Sequence, residues 1–240
     1  MNKVVILIDG QNLYYNLKDI SLKENNIKWD LLFSHLIEPD DKLVRTYWFR
    51  PAKILDTYYT SVNIRNTIVW KLHRTHTNNY QSGAHSSIPK QVLDDIEDKS
   101  RDIEKWLADE KQRFNSLEFQ YDKLCLEFGG IEFVKTGVVK VNPYNKSYSG
   151  EKGVDISLAV KMIALSVEKK CDKIILVSGD YDYAEAIRYV KNNMTQVHIV
   201  KMHKGNPPKS KSVSRDLIVL ADKVIDLYET DIHEKFLKGC

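Results

Sequence analysis

Two short apolar runs, far apart in the chain, end in the same way, and they constrain the fold more than any other feature. Lys3 to Ile8 runs into Asp9, Gly10, Gln11 and Asn12, and Ile174 to Val177 runs into Ser178, Gly179, Asp180, Tyr181 and Asp182. Unbroken runs of β-branched residues and Leu suit parallel strands covered on both faces. In open α/β sheets, ligand chemistry gathers at the carboxyl ends of strands, so acids placed there are held on a rigid scaffold. A plainer reading is that Ser178 and Asp180 cap the helix-like segment that follows, since both residue types are favoured at that position. A third acid comes from the EKGVD turn, Glu151 to Asp155, which enters the helical stretch ISLAVKMIALSVEKK. Carboxylates brought together repel one another unless a cation lies between them. Hard oxygen ligands of this kind suit Mg²⁺ or Mn²⁺.

The rest of the chain alternates strand and helix signals. Asn12 to Ile20 carries Leu13, Leu17 and Ile20 at helical spacing, and Trp29 to Ile37 reads as a second short helix. Lys42 to Phe49 has the Tyr, Trp and Val content of a strand. Leu55 to Ile64 has helical character, and Lys71 to Lys90 is polar and loop-like, with His73, His76 and His85. No cysteine lies near those histidines to complete a zinc set, and a substrate-touching loop is the preferred reading. Pro89 to Phe128 carries an apolar stripe through Leu93, Ile96, Ile103, Leu107, Phe114, Leu117, Tyr121, Leu124 and Phe128. It reads as one helix of about 60 Å or as a pair broken near Asn115-Ser116, with the stripe serving as core, as a homodimer seam or as a lid. Ile131 to Lys135, Gln196 to Val200 and Lys223 to Leu227 are further strands. Gly137 to Val141 is a hairpin arm or a loop, Asn142 to Gly150 a turn-rich connector, Leu217 to Ala221 a short helix, and the remainder a tail. Such alternation gives an α/β fold with an open, mainly parallel sheet flanked by helices.

Length and charge narrow the function classes. With 240 residues, the chain holds a single α/β domain with an insertion. No apolar run approaches the ~18 residues of a membrane span, and the N-terminus shows no signal-peptide pattern. Cys125, Cys171 and Cys240 are widely spaced and fit reduced cytoplasmic thiols. A net charge of +3 is too small to identify a polyanionic partner, but its placement is informative. Lys201, Lys204, Lys209, Lys211 and Arg215 form an acid-free basic loop. Lys135, Lys140, Lys146 and Lys152 form a second basic stretch, facing only Glu151. Tyr14 and Tyr15 follow the first acidic turn, where they could stack a base or simply pack.

The three motifs, DGQN after the first strand, EKGVD at Glu151 to Asp155 and SGDYD at Ser178 to Asp182, resemble the NYN domain family in its LabA-like branch. Ala221-Asp222 near the end is similar as well. The resemblance covers roughly 1–50 and 129–230 and leaves 51–128 as an insertion or elaboration within one 1–240 domain. It implies a PIN-like fold of the Rossmann type, a divalent metal site and cleavage of RNA. Carried over by position, Asp9, Asp155 and Asp180 would bind Mg²⁺ or Mn²⁺, with Asp182 as an auxiliary acid. Asn12 would orient the site, Ser178 would position a ligand or phosphate, and Lys152 would contact phosphate. The chain departs from the family pattern at Lys161, where a further acid is usual, and at Tyr183, Ala184, Glu185 and Ala186, where Phe-x-Pro-Leu is usual.

These observations leave a metal-dependent endoribonuclease beside two rivals. One is an RNA-binding or interaction module that kept the fold without the activity. The other is a phosphohydrolase, which is weakened by Gln11 standing two residues after Asp9. Neither a P-loop nor a GxGxxG motif is present.

Overall fold

The structure is a computed structural model, and it describes residues 1–75, 90–205 and 213–238. The chain divides into two compact units, one of 1–52, 121–137 and 153–240, the other of 53–120 and 138–152.

The first unit is built on a six-stranded sheet in which every pair is parallel. Its strands are β1 (Asn2–Asp9), β2 (Asp41–Arg50), β4 (Ile131–Lys135), β7 (Lys173–Val177), β8 (Gln196–His203) and β9 (Lys223–Tyr228), in the order β4-β2-β1-β7-β8-β9. Side chains alternate between the faces. Val5, Leu7, Ile174, Leu176, Val197 and Ile199 pack with Leu158, Met162 and Ile187 from α5 (Val154–Val167) and α6 (Ala184–Asn192). On the other face Trp48 meets Trp29 edge to face, with ring centroids 4.7 Å apart. Trp29 opens α2 (Trp29–Leu36), and α1 (Gly10–Asp19) buries Leu13 and Leu17. Coverage on both faces explains why the strands read as continuous apolar runs.

The amino ends of the strands are tied by charge. Lys173 is buried at the start of β7 and pairs with Asp41 of β2 and with Glu38, 2.5 Å away. Glu38 also takes Lys223 of β9 at 2.6 Å, and Asn2 donates to Asp41 at 2.9 Å.

The C-terminal segment is more than a tail. Glu229–Lys235 forms α8, beyond which the backbone of Phe236 accepts from Lys28 at 2.7 Å and that of Lys238 donates to Asn26 at 2.8 Å. The apolar Ile232 and Phe236 are buried by this docking.

The second unit has its own core. Strands β3 (Lys53–Leu55), β5 (Val138–Asn142) and β6 (Ser147–Lys152) form a three-stranded sheet. Ile54, Val139 and Val141 from that sheet pack with Ile64 and Ile68 of α3 (Ser61–Thr75) and Ile96, Ile103 and Leu107 of α4 (Lys90–Glu127). Residues 55–64 are therefore strand end, turn and helix start. Tyr59 turns back to the Asp56 carbonyl, and the Thr60 hydroxyl accepts from the Asn63 backbone. The 138–152 segment pairs with β3 and with itself instead of extending β4, and the connector after Asn142 is the hairpin turn.

Helix α4 is continuous over 38 residues. No break occurs at Asn115-Ser116, because the Ser116 hydroxyl bonds back to the Gln112 carbonyl at 2.9 Å and so finds its partner inside the helix. Its apolar stripe closes cores within the chain. Ile96, Ile103 and Leu107 are buried in the second unit, and Tyr121 and Leu124 are buried beyond residue 120. The buried part of the stripe is thus taken up within the chain and gives no support to a homodimer seam along 89–128. Pro89 lies outside the described residues, as do His76 and His85.

Candidate functional site

Strands β1 and β7 are neighbours, with β2 and β4 beyond one and β8 and β9 beyond the other. The chain order reverses between them, which is the switch point where open α/β sheets form their crevice. Asp9 ends β1, and Ser178 directly follows β7.

Asp9 is 3% exposed and serves as the N-cap of α1. Its Oδ1 accepts from the Asn12 backbone at 3.0 Å, and its Oδ2 accepts from the Ser178 hydroxyl at 3.0 Å and the Tyr183 hydroxyl at 3.2 Å. The same Tyr183 hydroxyl lies 3.2 Å from Oδ1 of Asp155, in the first turn of α5. The two carboxylate oxygens are thus no more than twice that distance apart. Gly153, at φ +90, is the N-cap that turns the chain into α5, two residues before Asp155.

The turn after β7 holds these groups in place. Ser178 accepts from the Asp180 backbone at 3.2 Å while it donates to Asp9. The Asn12 side-chain carbonyl accepts from Gly179 at 3.2 Å and from Asn16 at 2.9 Å, joining α1 to the turn. Asp180 caps the 3-10 turn Tyr181–Tyr183, accepting from Asp182 at 3.1 Å. Asp180 thus caps the 3-10 turn and not the helix α6 that follows, whose N-cap Tyr183 makes no side-chain cap bond, and Ser178 binds Asp9 instead of a helix end.

Burial and neighbouring negative charge hold the carboxyls of Asp9 and Asp155 above their ordinary range. Burial pushes Asp9 up, and the charge of Asp180 adds to that, against the hydrogen bonds from Asn12, Ser178 and Tyr183. Burial also pushes Asp155 up, followed by the charge of Asp9 and then those of Asp180 and Asp182. Tyr183 is driven far above the ordinary phenol range by burial and by Asp9 and Asp155, so its hydroxyl stays neutral. Even so, among the described residues no three His, Cys, Asp or Glu side chains are grouped so that they could hold a metal ion as they stand.

Gly10 is essential to the close approach of β1 and β2. A Cβ there would lie 2.5 Å from the Phe49 carbonyl oxygen and 2.6 Å from Arg50 Cδ and Nε. Arg50 cannot readily yield, since it pairs with Glu24 and lies over the rings of Trp48 and Tyr121. Gly10→Ala is expected to push the end of β1 away from β2, lowering the melting temperature and displacing Asp9. A melting scan together with a structure of the variant checks this, and an unshifted Asp9 would contradict it.

The residues expected to meet substrate are placed unevenly. Tyr14 and Tyr15 are exposed on α1 and stand edge to face at 5.5 Å, and Tyr181 is half exposed on the acidic turn. Ser214 donates its backbone N–H to the Gly179 carbonyl at 3.3 Å, which brings the start of α7 (Arg215–Leu220), and exposed Arg215 with it, to that turn. Lys201 is half-buried in β8 and Lys204 is exposed just beyond it. Lys209 and Lys211 lie outside the described residues. Lys152 is exposed in β6 of the second unit. Lys161 of α5 rests its ammonium 4.1 Å from the centroid of the Tyr47 ring.

Sequence reasoning noted Tyr183 only as a departure from a pattern and missed its place between two acids. No local signal was available, since both partners of its hydroxyl, Asp9 and Asp155, are distant from it in sequence. The contact of Gly10 with Arg50 gave no signal in the sequence, because it joins the start of α1 to the end of β2.

A model of the NYN domain family matches residues 78–229. That span contains Asp155, Asp180 and Asp182, and also 78–128, while Asp9 and Asn12 lie before it. No curated protein and no solved structure matches the chain.

Proposed function

Because the chain belongs to the NYN domain family, we propose that it is a metal-dependent endoribonuclease hydrolysing phosphodiester bonds of RNA, preferably single-stranded, and that it is of the LabA-like branch. The observation that carries this reading is the meeting of Asp9 and Asp155 on one phenol. Tyr183 has a single hydrogen to donate, yet it lies 3.2 Å from both carboxylates. With both carboxylates ionised, one of these contacts sets lone pairs against lone pairs, and Asp180 and Asp182 add negative charge to the field at Asp155. A cation supplies what this arrangement lacks.

The donor set fits such an ion. Asp9, Asp155 and Asp180 offer only hard carboxylate oxygens, the chemistry that suits Mg²⁺ or Mn²⁺. When bound, the ion would act as a Lewis acid toward the phosphate and lower the pKa of a coordinated water. The chain's own residues do the rest. Ser178 and Asn12 fix Asp9 and the acidic turn through the bonds described above. Asp182 adds negative charge that favours a cation. Tyr14, Tyr15 and Tyr181 offer ring faces to unpaired bases. Arg215, Lys201, Lys204, Lys209 and Lys211, with Lys152, would gather the RNA backbone electrostatically. A cytoplasmic setting belongs to the same reading, since Cys125 and Cys171 are free thiols, and no helix among the described residues is long and apolar enough to cross a membrane.

A second reading, an RNA-binding module without cleavage, draws on Lys161. Its ammonium is engaged by the Tyr47 ring at a position where the family usually carries an acid. Labelled single-stranded RNA separates the two readings. The nuclease reading expects cleavage that requires Mg²⁺ or Mn²⁺, stops with EDTA, and falls ~100-fold or more in Asp155→Asn. Undiminished cleavage by that variant would remove the proposed site. Salt-sensitive RNA retention without cleavage, whichever divalent ion is supplied, would decide for the binding module.

A further inference from the structure

We propose that Tyr183 is a positioning residue for the cation site, its hydroxyl holding the carboxylates of Asp9 and Asp155 at one fixed separation; this rests on the metal reading above. Asp9 comes from the end of β1 and Asp155 from the first turn of α5. Among the described residues, the Tyr183 hydroxyl lies within hydrogen-bond distance of both, at 3.2 Å each, and its one hydrogen donates to either in turn. Ser178 reaches Asp9 alone.

The ring cannot swing away to release them. Tyr183 is 1% exposed and sits in the core cluster with Leu158, Ile187 and Leu217. Its backbone closes the 3-10 turn that Asp180 caps, so ring and acidic turn are positioned together. The hydroxyl oxygen therefore stays between the two carboxylates when a cation arrives, donating to one while the ion draws on their remaining lone pairs. Among the described residues, Asp9 Oδ1 accepts from the Asn12 backbone alone, which leaves a lone pair on that oxygen for an ion. Without the hydroxyl, the two acids would part under mutual repulsion, and a cation would first have to draw them together. Partners that orient metal ligands are typically worth about 10–100-fold in affinity.

Tyr183→Phe removes the hydroxyl and keeps the ring. The probe is Mn²⁺ alone, titrated against the melting temperature of the full chain, with RNA cleavage measured in parallel. The Mn²⁺ concentration giving half the maximal thermal shift should rise about tenfold or more, and that giving half-maximal cleavage should rise with it. kcat at saturating Mn²⁺ should stay within about threefold of wild type, since the ligands themselves remain. Ser178→Ala, which removes a donor from Asp9 and the acceptor of the Asp180 N–H but touches Asp155 through neither, should raise the Mn²⁺ requirement less than Tyr183→Phe does.

An unchanged Mn²⁺ requirement in Tyr183→Phe overturns the proposal, and a lowered one overturns it by showing that the hydroxyl competes with the ion. A large loss of melting temperature in EDTA also overturns it, because the hydroxyl would then be holding the fold and not the ligands. If wild type shows no Mn²⁺-dependent shift, the metal reading itself fails, an outcome distinct from a wild type that responds and a variant that matches it.

Discussion

Asp9→Asn is expected to reduce RNA cleavage by roughly a thousandfold or more while leaving the metal-free protein at least as heat-resistant as wild type. In the proposed nuclease, the loss in rate would follow from removing a ligand that helps an ion stabilise charge on the phosphate, an effect of several kcal/mol, at about 1.36 kcal/mol per tenfold. The gain or neutrality in stability follows from the environment of the side chain. Burial and the charge of Asp180 both penalise its carboxylate. An asparagine retains the carbonyl oxygen that caps α1 through the Asn12 N–H, and its amide can donate to Ser178 or Tyr183. Because the folded pKa of Asp9 is raised, its ionisation costs the wild type stability as pH rises through the ordinary carboxylate range. Asp9→Asn removes that cost, so its advantage in EDTA should be visible at neutral pH and disappear in acid. Paired melting curves and cleavage assays check both halves. A variant that loses activity and stability together would indicate a broken fold instead of a missing ligand.

Lys173→Met is expected to destabilise the first unit by about 3–5 kcal/mol, because it leaves Asp41 buried without its cation. At about 2–4 °C per kcal/mol for a chain of this size, the melting temperature should fall by roughly 6–20 °C. Changing Asp41 to Leu as well should recover most of the loss, since an ionic pair replaced by apolar groups on both sides is often neutral.

The pH dependence of the wild type should carry the signature of this network. Hydrogen bonds from Lys173 and Lys223 lower Glu38 from 4.5 to about 2. Burial would raise Asp41, but its bonds to Lys173 and Asn2 hold it below the ordinary value. Burial would likewise lower Lys173, but its bonds to Asp41 and Glu38 raise it instead. Acids with lowered folded pKa values contribute stability above the ordinary carboxylate range and lose it as pH falls toward about 2. The raised Lys173 loses its contribution only above its ordinary 10.5. The acid limb of the stability curve should therefore be shallower in Lys173→Met than in wild type, and equal slopes would exclude the network as its source.

The parts of the fold legible in the sequence were those governed by local pattern. Ile174–Val177 and Val4–Ile8 showed themselves as buried strands because parallel strands covered on both faces need continuous apolar residues. The acids could be placed because a strand's carboxyl end has a known address in such sheets. What could not be read depends on partners distant in sequence. Ser147–Lys152 lacks apolar alternation and becomes a strand only by pairing with Val138–Asn142. Glu229–Phe236 resembles a tail until its backbone docks on residues 26–28. The long stripe of α4 gave the periodicity of a helix but not the identity of what covers it. At the site, Asp9 and Asp180 were visible as acids, yet nothing local showed that Asp180 would also cap a turn or that Tyr183 would reach both Asp9 and Asp155.

The distances along the chain between the grouped side chains carry a consequence for how the protein is made. Ser178 stands 169 residues from the Asp9 it contacts, and Tyr183 stands 174 residues away. Contacts so remote form late and slowly, and domains fold as units once enough of the polypeptide has been synthesised. A ribosome-bound chain that has emerged only through its first strands holds Asp9 with neither of its hydroxyl donors. The acidic hollow comes into being only when most of the polypeptide has left the ribosome, so an RNA-directed activity would stay latent beside the message that encodes it.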